Sequence, residues 1–187
     1  FAVFVAGLLF GYSFAVSSRK EQKVINETKP SEPIVFGVIA PFAGDAASYG
    51  ESLQKVLVMA VEEINKEGGI NGREFRLIYE NGNCTGKDAA SAMQKLVQID
   101  KVKIVIGGFC SAESLAAAPI AEENHILLFS PSSSSPLLSN AGPYFFRNFP
   151  SDNTQGKVLA NAAYNNGWRK MAVIQEQTDY AVGITKA

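Results

Sequence analysis

Serine residues follow two predicted strands, at positions where small polar ligands can bind. Ser111 begins a predicted helix, where its hydroxyl can cap the helix and the N–H groups of residues 112–114 are free. Those N–H groups and the positive end of the helix dipole form an anion site that fits a carboxylate as well as a phosphate. The serines at 132–135 offer hydroxyl and carbonyl oxygens suited to an ammonium group. Together they predict a site for a small zwitterion, although a helix cap at Ser111 and a simple turn at 132–135 would explain the same residues.

The two cysteines, Cys84 and Cys110, each follow a predicted strand, so adjacent parallel strands could bring them together. In an exported protein such a pair indicates a disulfide, which is the interpretation we favour, whereas in a reducing compartment both would be thiols. A cysteine hydrolase would pair Cys110 with His125, the only histidine, but the two should face opposite edges of the sheet. One histidine and two separated cysteines match no metal-ligand spacing, and there is no nucleotide-binding glycine loop. We therefore expect no metal, no other cofactor and no enzymatic activity.

Alternating apolar strands and amphipathic helices position these residues, a pattern typical of a doubly wound, parallel α/β sheet. The predicted strands are 34–40, 75–79, 103–107, 126–129 and 144–149, and the predicted helices are 49–66, 88–100, 111–123 and 152–166. Residues 168–174 predict the strand of a further strand–helix unit. In such sheets ligands bind beyond the carboxyl ends of the strands, where the loops at 41–49, 108–114 and 130–135 should meet.

The domain organisation follows from the same pattern. We expect residues 34–149 to form one lobe of a ligand-binding domain and residues 150–187 to be the incomplete start of a second lobe. Residues 1–18 are apolar and uncharged, which predicts a signal peptide or an uncleaved membrane anchor, and the polar residues 19–33 predict a linker. The folded part should then be periplasmic or extracellular.

The composition excludes some classes of partner. The 187 residues are 47% hydrophobic and 19% charged, as in ordinary globular proteins. Lys and Arg number 17 against 18 Asp and Glu, so the net charge is −1 and there is no basic field that would attract nucleic acid.

The order and spacing of several segments after residue 33 resemble the amino-terminal part of the type I periplasmic binding proteins for branched-chain amino acids. The matching segments are 38–41, 49–51, 60–72, 83–84, 105–111, 129–136, 146–147, 155–156 and 179–180. The Gly-Gly-Ile-Asn-Gly-Arg turn at 68–73 and the Cys-Ser step at 110–111 are fairly specific in combination.

This resemblance implies a function. In that family two α/β lobes close on a free amino acid, leucine, isoleucine or valine among them, and deliver it to the membrane subunits of an ABC permease. The ligand-binding residues that it implies here are Ser111, Ser132, Ser134, Tyr49 and Tyr180. Ser111 and Ser134 would bind the charged groups of the ligand, Ser132 would contribute main-chain atoms, and the tyrosines would line the cleft.

The resemblance also implies that Cys84 and Cys110 form the disulfide of the first lobe and fix the Ser111 loop. It places an acidic contact to the ligand ammonium beyond residue 187, so we expect this chain alone to bind ligand weakly or not at all. An alternative with the same fold is a ligand-sensing receptor domain, tethered to the membrane through residues 1–18.

Overall fold

Five parallel strands and five α-helices make up residues 32–187, the part of the chain that this computed structural model describes. The strands are β1 (Ile34–Ala40), β2 (Phe75–Asn81), β3 (Ile104–Ile106), β4 (Leu127–Ser130) and β5 (Phe145–Arg147). The helices are α1 (Ala47–Lys66), α2 (Gly86–Gln98), α3 (Ser111–Asn124), α4 (Asp152–Asn165) and α5 (Asp179–Lys186), with a short 3₁₀ helix at Pro136–Asn140. The expectations for residues 1–18, and for nearly all of the linker, lie outside the described residues.

The strands form one sheet in the order β2-β1-β3-β4-β5, and every pair of neighbours is parallel. The predicted doubly wound α/β fold is confirmed. The chain moves from β1 to β2 on one side and then to β3 on the other, so the order reverses beside β1. A reversal of this kind opens a crevice at the carboxyl ends of the strands, and in this sheet it lies between β1 and β3.

The core lies between the sheet and the helices α2 and α3. Buried strand residues such as Ile39, Val105 and Leu128 pack there against Met93 and Leu96 of α2 and the alanines of α3. Gly37 of β1 allows this close packing, because a Cβ at that position would lie 2.7 Å from Cδ1 of Leu96. Helix α3, which carries Ser111, packs on α2 in the same core.

Helix α1 packs against β1 and β2. The β1-α1-β2 connection and the connection from β2 through α2 to β3 run in opposite directions across the sheet, so the right-handed crossover rule places α1 and α2 on opposite faces. Asn65 ties the end of α1 to β2, because its amide group accepts from the N–H of Phe75 at 2.8 Å and donates to the Phe75 carbonyl at 3.0 Å. The buried stripe of α1 is narrower than its apolar pattern predicts, since Val56 remains 63% exposed.

The secondary structure differs from the predictions in several places. Residues 168–176 form neither helix nor strand, so the strand predicted at 168–174 is wrong. No strand among residues 32–187 lies beside that segment to share backbone hydrogen bonds. Helix α2 begins at Gly86 because the Thr85 side chain caps it by accepting from the N–H of Asp88. Strand β5 is only three residues long.

Within residues 32–187, no helix combines the length and the apolar character needed to cross a membrane.

Candidate functional site

A cavity of about 580 Å³ opens beyond the carboxyl ends of the central strands, and its volume is typical of small-ligand sites. The residues that line it from the side of the sheet and its loops are Tyr49, Cys84, Phe109, Cys110, Ser111, Ala112, Ser132 and Ser134. The residues that line it from the other side are Phe149, Asp152, Gln155, Glu176, Thr178, Asp179 and Tyr180. All five residues predicted to bind ligand, Ser111, Ser132, Ser134, Tyr49 and Tyr180, therefore lie around one cavity.

The amino terminus of α3 reaches this cavity. Cys110 is the N-cap and Ser111 is the first helical residue, so the expectation that Ser111 occupies the N-cap position is wrong by one residue. The Ser111 hydroxyl is buried and accepts a hydrogen bond from the N–H of Ser135 at 3.2 Å, which leaves its own proton free to be donated.

The backbone N–H groups at this helix terminus are only partly as predicted. The N–H of Ser114 donates to the Cys110 carbonyl at 3.1 Å and is therefore not free. Within residues 32–187 the N–H groups of Ser111 and Ala112 have no hydrogen-bond partner, and both residues line the cavity. The helix terminus thus presents two N–H groups and one hydroxyl to the cavity, which is a donor set suited to an anion.

Hydroxyl groups hold the serine loop at 130–135 against the loop after β3. The Gly108 carbonyl accepts from the hydroxyls of Ser130 at 2.8 Å, Ser133 at 3.0 Å and Ser114 at 3.1 Å. The hydroxyls of Ser114 and Ser133 also lie 2.8 Å apart. Ser130 and Ser133 therefore have a structural role in this segment, and Ser132 and Ser134 line the cavity.

Arg147 at the end of β5 fixes the far side of the same loop. Its guanidinium donates to the carbonyls of Ser133 at 3.2 Å and Ser135 at 2.9 Å, and to the Ser139 hydroxyl at 2.9 Å. Burial lowers the pKa of Arg147, and the nearby negative charge of Asp152 acts in the opposite direction. Arg147 thus provides hydrogen-bond donors to three oxygen atoms of residues 133–139.

Asp152 is a site residue that sequence reasoning missed. It is buried in the first turn of α4, where its carboxylate Oδ2 accepts from the Ser134 hydroxyl at 2.8 Å and its N–H donates to the Ser134 carbonyl at 3.0 Å. The sequence signal for it was an acidic residue that opens the helix after β5, directly at the predicted lobe boundary. With Glu176 and Asp179, Asp152 brings three carboxylates to the cavity, and none of the residues within 32–187 that line it is Lys, Arg or His.

Aromatic rings form the less polar part of the cavity. Tyr49 stacks on Phe109 with the ring centres 5.6 Å apart, and Tyr180 lies on the opposite side with 47% of its surface exposed. Phe109 and Phe149 were not identified from the sequence, because isolated aromatic residues next to apolar strands cannot be told from core residues. At one end the cavity has N–H donors and carboxylates that can bind charged groups, and beside them it has apolar aromatic surface.

Cys84 and Cys110 form a disulfide with their Cα atoms 5.2 Å apart. The route by which they meet differs from the expectation, because β1 lies between β2 and β3 and the two strands are not adjacent. Both loops bend over the end of β1 and meet there. Their sulfurs lie near the Glu113 carboxylate, but a disulfide has no thiolate to offer a metal ion.

The structure removes the cysteine-hydrolase alternative. His125 ends α3 and Cys110 caps its beginning, so the two residues lie at opposite ends of a 14-residue helix. His125 is exposed and packs edge-to-face on Tyr144 with the ring centres 5.2 Å apart. Cys110 is oxidised in the disulfide, so it has no thiol to act as a nucleophile, and His125 does not lie beside it.

Comparisons with known proteins agree with this geometry. A family model described as periplasmic binding protein matches residues 33–187. An amino acid binding protein of Pseudomonas aeruginosa is 33% identical over 156 residues, which cover 82% of this chain and 42% of that protein. A leucine-, isoleucine-, valine-, threonine- and alanine-binding protein of the same organism is 31% identical, with the same coverage.

Solved structures give the same result. A leucine-binding protein from Thermotoga maritima is 31% identical, with a TM-score of 0.73 and coverage of 82% of this chain and 43% of that one. A branched-chain amino acid transporter substrate-binding protein from Streptococcus pneumoniae, in complex with isoleucine, is 30% identical, with a TM-score of 0.70 and coverage of 82% and 45%. The chain thus spans less than half the length of these relatives. It belongs to the type I periplasmic binding proteins of the branched-chain amino acid family.

Proposed function

We propose that this chain forms the part of an extracytoplasmic solute-binding protein that holds the charged groups of a free amino acid, of the branched-chain type or similar. The observation that carries the proposal is the meeting of two opposite partners in one cavity. Unpaired N–H groups at Ser111 and Ala112 lie in the first turn of α3, and the Ser134 hydroxyl, paired with Asp152 at the start of α4, lies across the same cavity.

The ligand carboxylate binds at the start of α3. The N–H groups of Ser111 and Ala112 and the Ser111 hydroxyl are three donors with no competing partner, and the helix dipole adds to their attraction. The serine at 111 is placed for this role because its oxygen already accepts from Ser135, which fixes the direction of its proton.

The ligand ammonium binds beside Ser134. The Ser134 hydroxyl donates its proton to Asp152 and can therefore only accept from the ligand, which suits an ammonium and not a carboxylate. Asp152 supplies negative charge behind that oxygen, and main-chain atoms of Ser132 complete this side. The earlier expectation assigned the acidic contact to residues beyond 187, and Asp152 adds a carboxylate within the chain itself.

The side chain of the ligand contacts the aromatic surface. Tyr49 lines this part of the cavity from the lobe at residues 34–149, and Tyr180 lines it from the second lobe, to which we assign residues 150–187. Tyr49 and Tyr180 keep about half of their surface exposed around the cavity, and a ligand placed between them would cover much of it.

The relatives support the rest of the function. The proteins from P. aeruginosa are named for binding amino acids, and the one from S. pneumoniae is named as the substrate-binding protein of a transporter. We extend this to delivery of the ligand to the membrane subunits of an ABC permease from a periplasmic or extracellular position, without enzymatic activity.

The experiment is an NMR titration of the chain with L-leucine, followed at the backbone amide signals of Ser111 and Ala112. We expect these signals to shift with a dissociation constant of about 1 mM. Leucinol, which lacks the carboxylate, should leave them unchanged. Ser111→Ala should weaken binding about tenfold, since it removes one hydrogen bond to a charged group, and Ser91→Ala on the exposed side of α2 is the matched control.

Two results would contradict the proposal. One is a shift of the Ser111 and Ala112 amides by leucinol that equals the shift by leucine. The other is the absence of any shift with leucine at about 10 mM, tenfold above the expected dissociation constant.

A further inference from the structure

Glu113 is a fully buried carboxylate that the ligand contacts do not use. Its Oε1 accepts from the N–H of Cys84 at 3.0 Å and its Oε2 accepts from the N–H of Cys110 at 2.9 Å. Two glycines make room for it, because a Cβ at Gly82 would overlap its carboxylate and a Cβ at Gly108 would overlap its own Cβ. The surrounding backbone is therefore shaped around this one side chain.

The two residues that Glu113 joins are the same two that the disulfide joins. Cys84 and Cys110 come from loops that follow β2 and β3, and these strands are separated by β1. The disulfide links their side chains, and the carboxylate links their backbone N–H groups. One pair of residues thus has two independent connections, one covalent and one through hydrogen bonds.

We propose that Glu113 is a positioning residue for the amino-acid site: its carboxylate holds the start of α3 against the loop at Cys84, in parallel with the disulfide, and so keeps the N–H groups of Ser111 and Ala112 directed into the cavity. This inference takes its ligand from the proposed function, whereas the hydrogen bonds of Glu113 to Cys84 and Cys110 do not depend on that function. Ser111 and Ala112 directly follow Cys110, so a displacement of Cys110 moves both N–H groups.

A carboxyl group fits here because both partners are donors and both of its oxygens can accept. An amide side chain of the same size would present one oxygen and one NH₂ group, and the NH₂ group would face a backbone N–H. One buried N–H would then lose its acceptor, and its loop would have to move to find another. Glu113→Gln therefore tests the hydrogen bonds while keeping the volume of the side chain.

The disulfide and the Glu113 hydrogen bonds hold the same two residues, so each can compensate for the loss of the other. Loss of both should therefore weaken leucine binding by more than the product of the two separate losses. With the disulfide intact, Glu113→Gln should weaken leucine binding by about threefold, and Cys84→Ser with Cys110→Ser should do the same while Glu113 remains. All three changes together should weaken binding by at least about threefold more than the product of the separate losses. A combined loss equal to that product, or smaller, would overturn the inference.

A measurement without ligand separates this inference from the proposed function. In the free chain, Glu113→Gln should shift the amide signals of Cys84, Cys110, Ser111 and Ala112, whereas Glu123→Gln on the exposed side of α3 should not. If Glu113→Gln leaves Ser111 and Ala112 unshifted, Glu113 does not position them and the inference fails, even if leucine binds. If the wild-type chain does not bind leucine but these shifts occur, the proposed function fails and the positioning contact stands.

Reduction of the wild-type disulfide by dithiothreitol provides the converse test and needs no variant. The Ser111 and Ala112 amide signals should stay close to their oxidised positions, because Glu113 still joins the two loops. Loss of both signals on reduction alone would show that the disulfide is the only effective connection and would overturn the inference.

Discussion

The two sides of the cavity are built in different ways. The inner wall, which we define as residues 108–114 and 130–135, is largely buried and is held by the disulfide, by Glu113, by Arg147 and by the hydroxyls on the Gly108 carbonyl. The outer wall, which we define as residues 149–180, is largely exposed, and residues 168–176 within it form no regular structure.

This difference teaches how the proposed work of binding is divided. In the proposed function, the inner wall would meet the groups that every free amino acid shares, and its donors are fixed before the ligand arrives, which would lower the entropy lost on binding. The outer wall meets the variable side chain, and its few contacts allow it to adjust. We therefore expect changes to the inner wall to affect stability strongly and changes to the outer wall to affect it weakly.

The largest effect should come from a comparison of Leu128, on the strand that leads into the inner wall, with Leu159 in the outer wall. Leu128 of β4 is fully buried, whereas Leu159 of α4 is 57% exposed. Leu128→Ala should lower the free energy of unfolding by about 3 kcal/mol, because it leaves a cavity in the core. Leu159→Ala should change it by less than about 0.5 kcal/mol. Urea denaturation measures both, and equal losses would show that the two walls share one core.

A pair of arginines gives the next largest effect. Arg147→Leu should cost about 2 kcal/mol, because it removes the donor to two carbonyls of the inner wall. Arg169 of the outer wall also donates to two carbonyls, those of Tyr164 at 2.8 Å and Trp168 at 3.1 Å, and lies over the Tyr164 ring at 4.1 Å. These contacts are exposed to water, so Arg169→Leu should cost less than about 1 kcal/mol. Chemical denaturation of the two variants compares them directly. A larger loss for Arg169 would reverse the ranking of the two walls.

Sequence periodicity predicted the strands that lead into the inner wall, but it predicted a strand in the outer wall that does not form. Strands such as 34–40 and 103–107 are continuous apolar runs because both faces of the sheet are covered, and such runs are readable without a structure. Residues 171–174, the second half of the strand predicted at 168–174, are also apolar, but a strand exists only beside a partner that shares its hydrogen bonds. Among residues 32–187 that segment has no such partner.

Site residues were predictable from the sequence where their role depends on one segment of the chain. They were not predictable where their role depends on contacts between two segments. Ser111 stood out by its place at the start of a predicted helix, and Ser134 stood out through the family resemblance. Asp152 and Glu113 did not, because their importance depends on which backbone groups the fold brings beside them. The sequence also suggested that Cys84 and Cys110 follow neighbouring strands, since spacing along the chain does not reveal that β1 lies between them.

The smallest expected effect concerns the pH dependence that Glu113 gives to the inner wall. Burial raises the pKa of Glu113 above its ordinary value of 4.5, and hydrogen bonds from the backbone N–H groups of Cys110, Cys84 and Phe109 act in the opposite direction. The folded chain then binds this proton more tightly than the unfolded chain does. The contribution of Glu113 to stability is therefore fully present below pH 4.5 and is lost as the pH rises through the raised pKa.

The measurement is the difference in unfolding free energy between wild type and Glu113→Gln, with Glu123→Gln as the control. Wild type should be favoured more at acid pH than at neutral pH. An advantage of wild type that grows as the pH rises would mean that the hydrogen bonds outweigh the burial of the charge, and the inner wall would then be more stable with the carboxylate ionised.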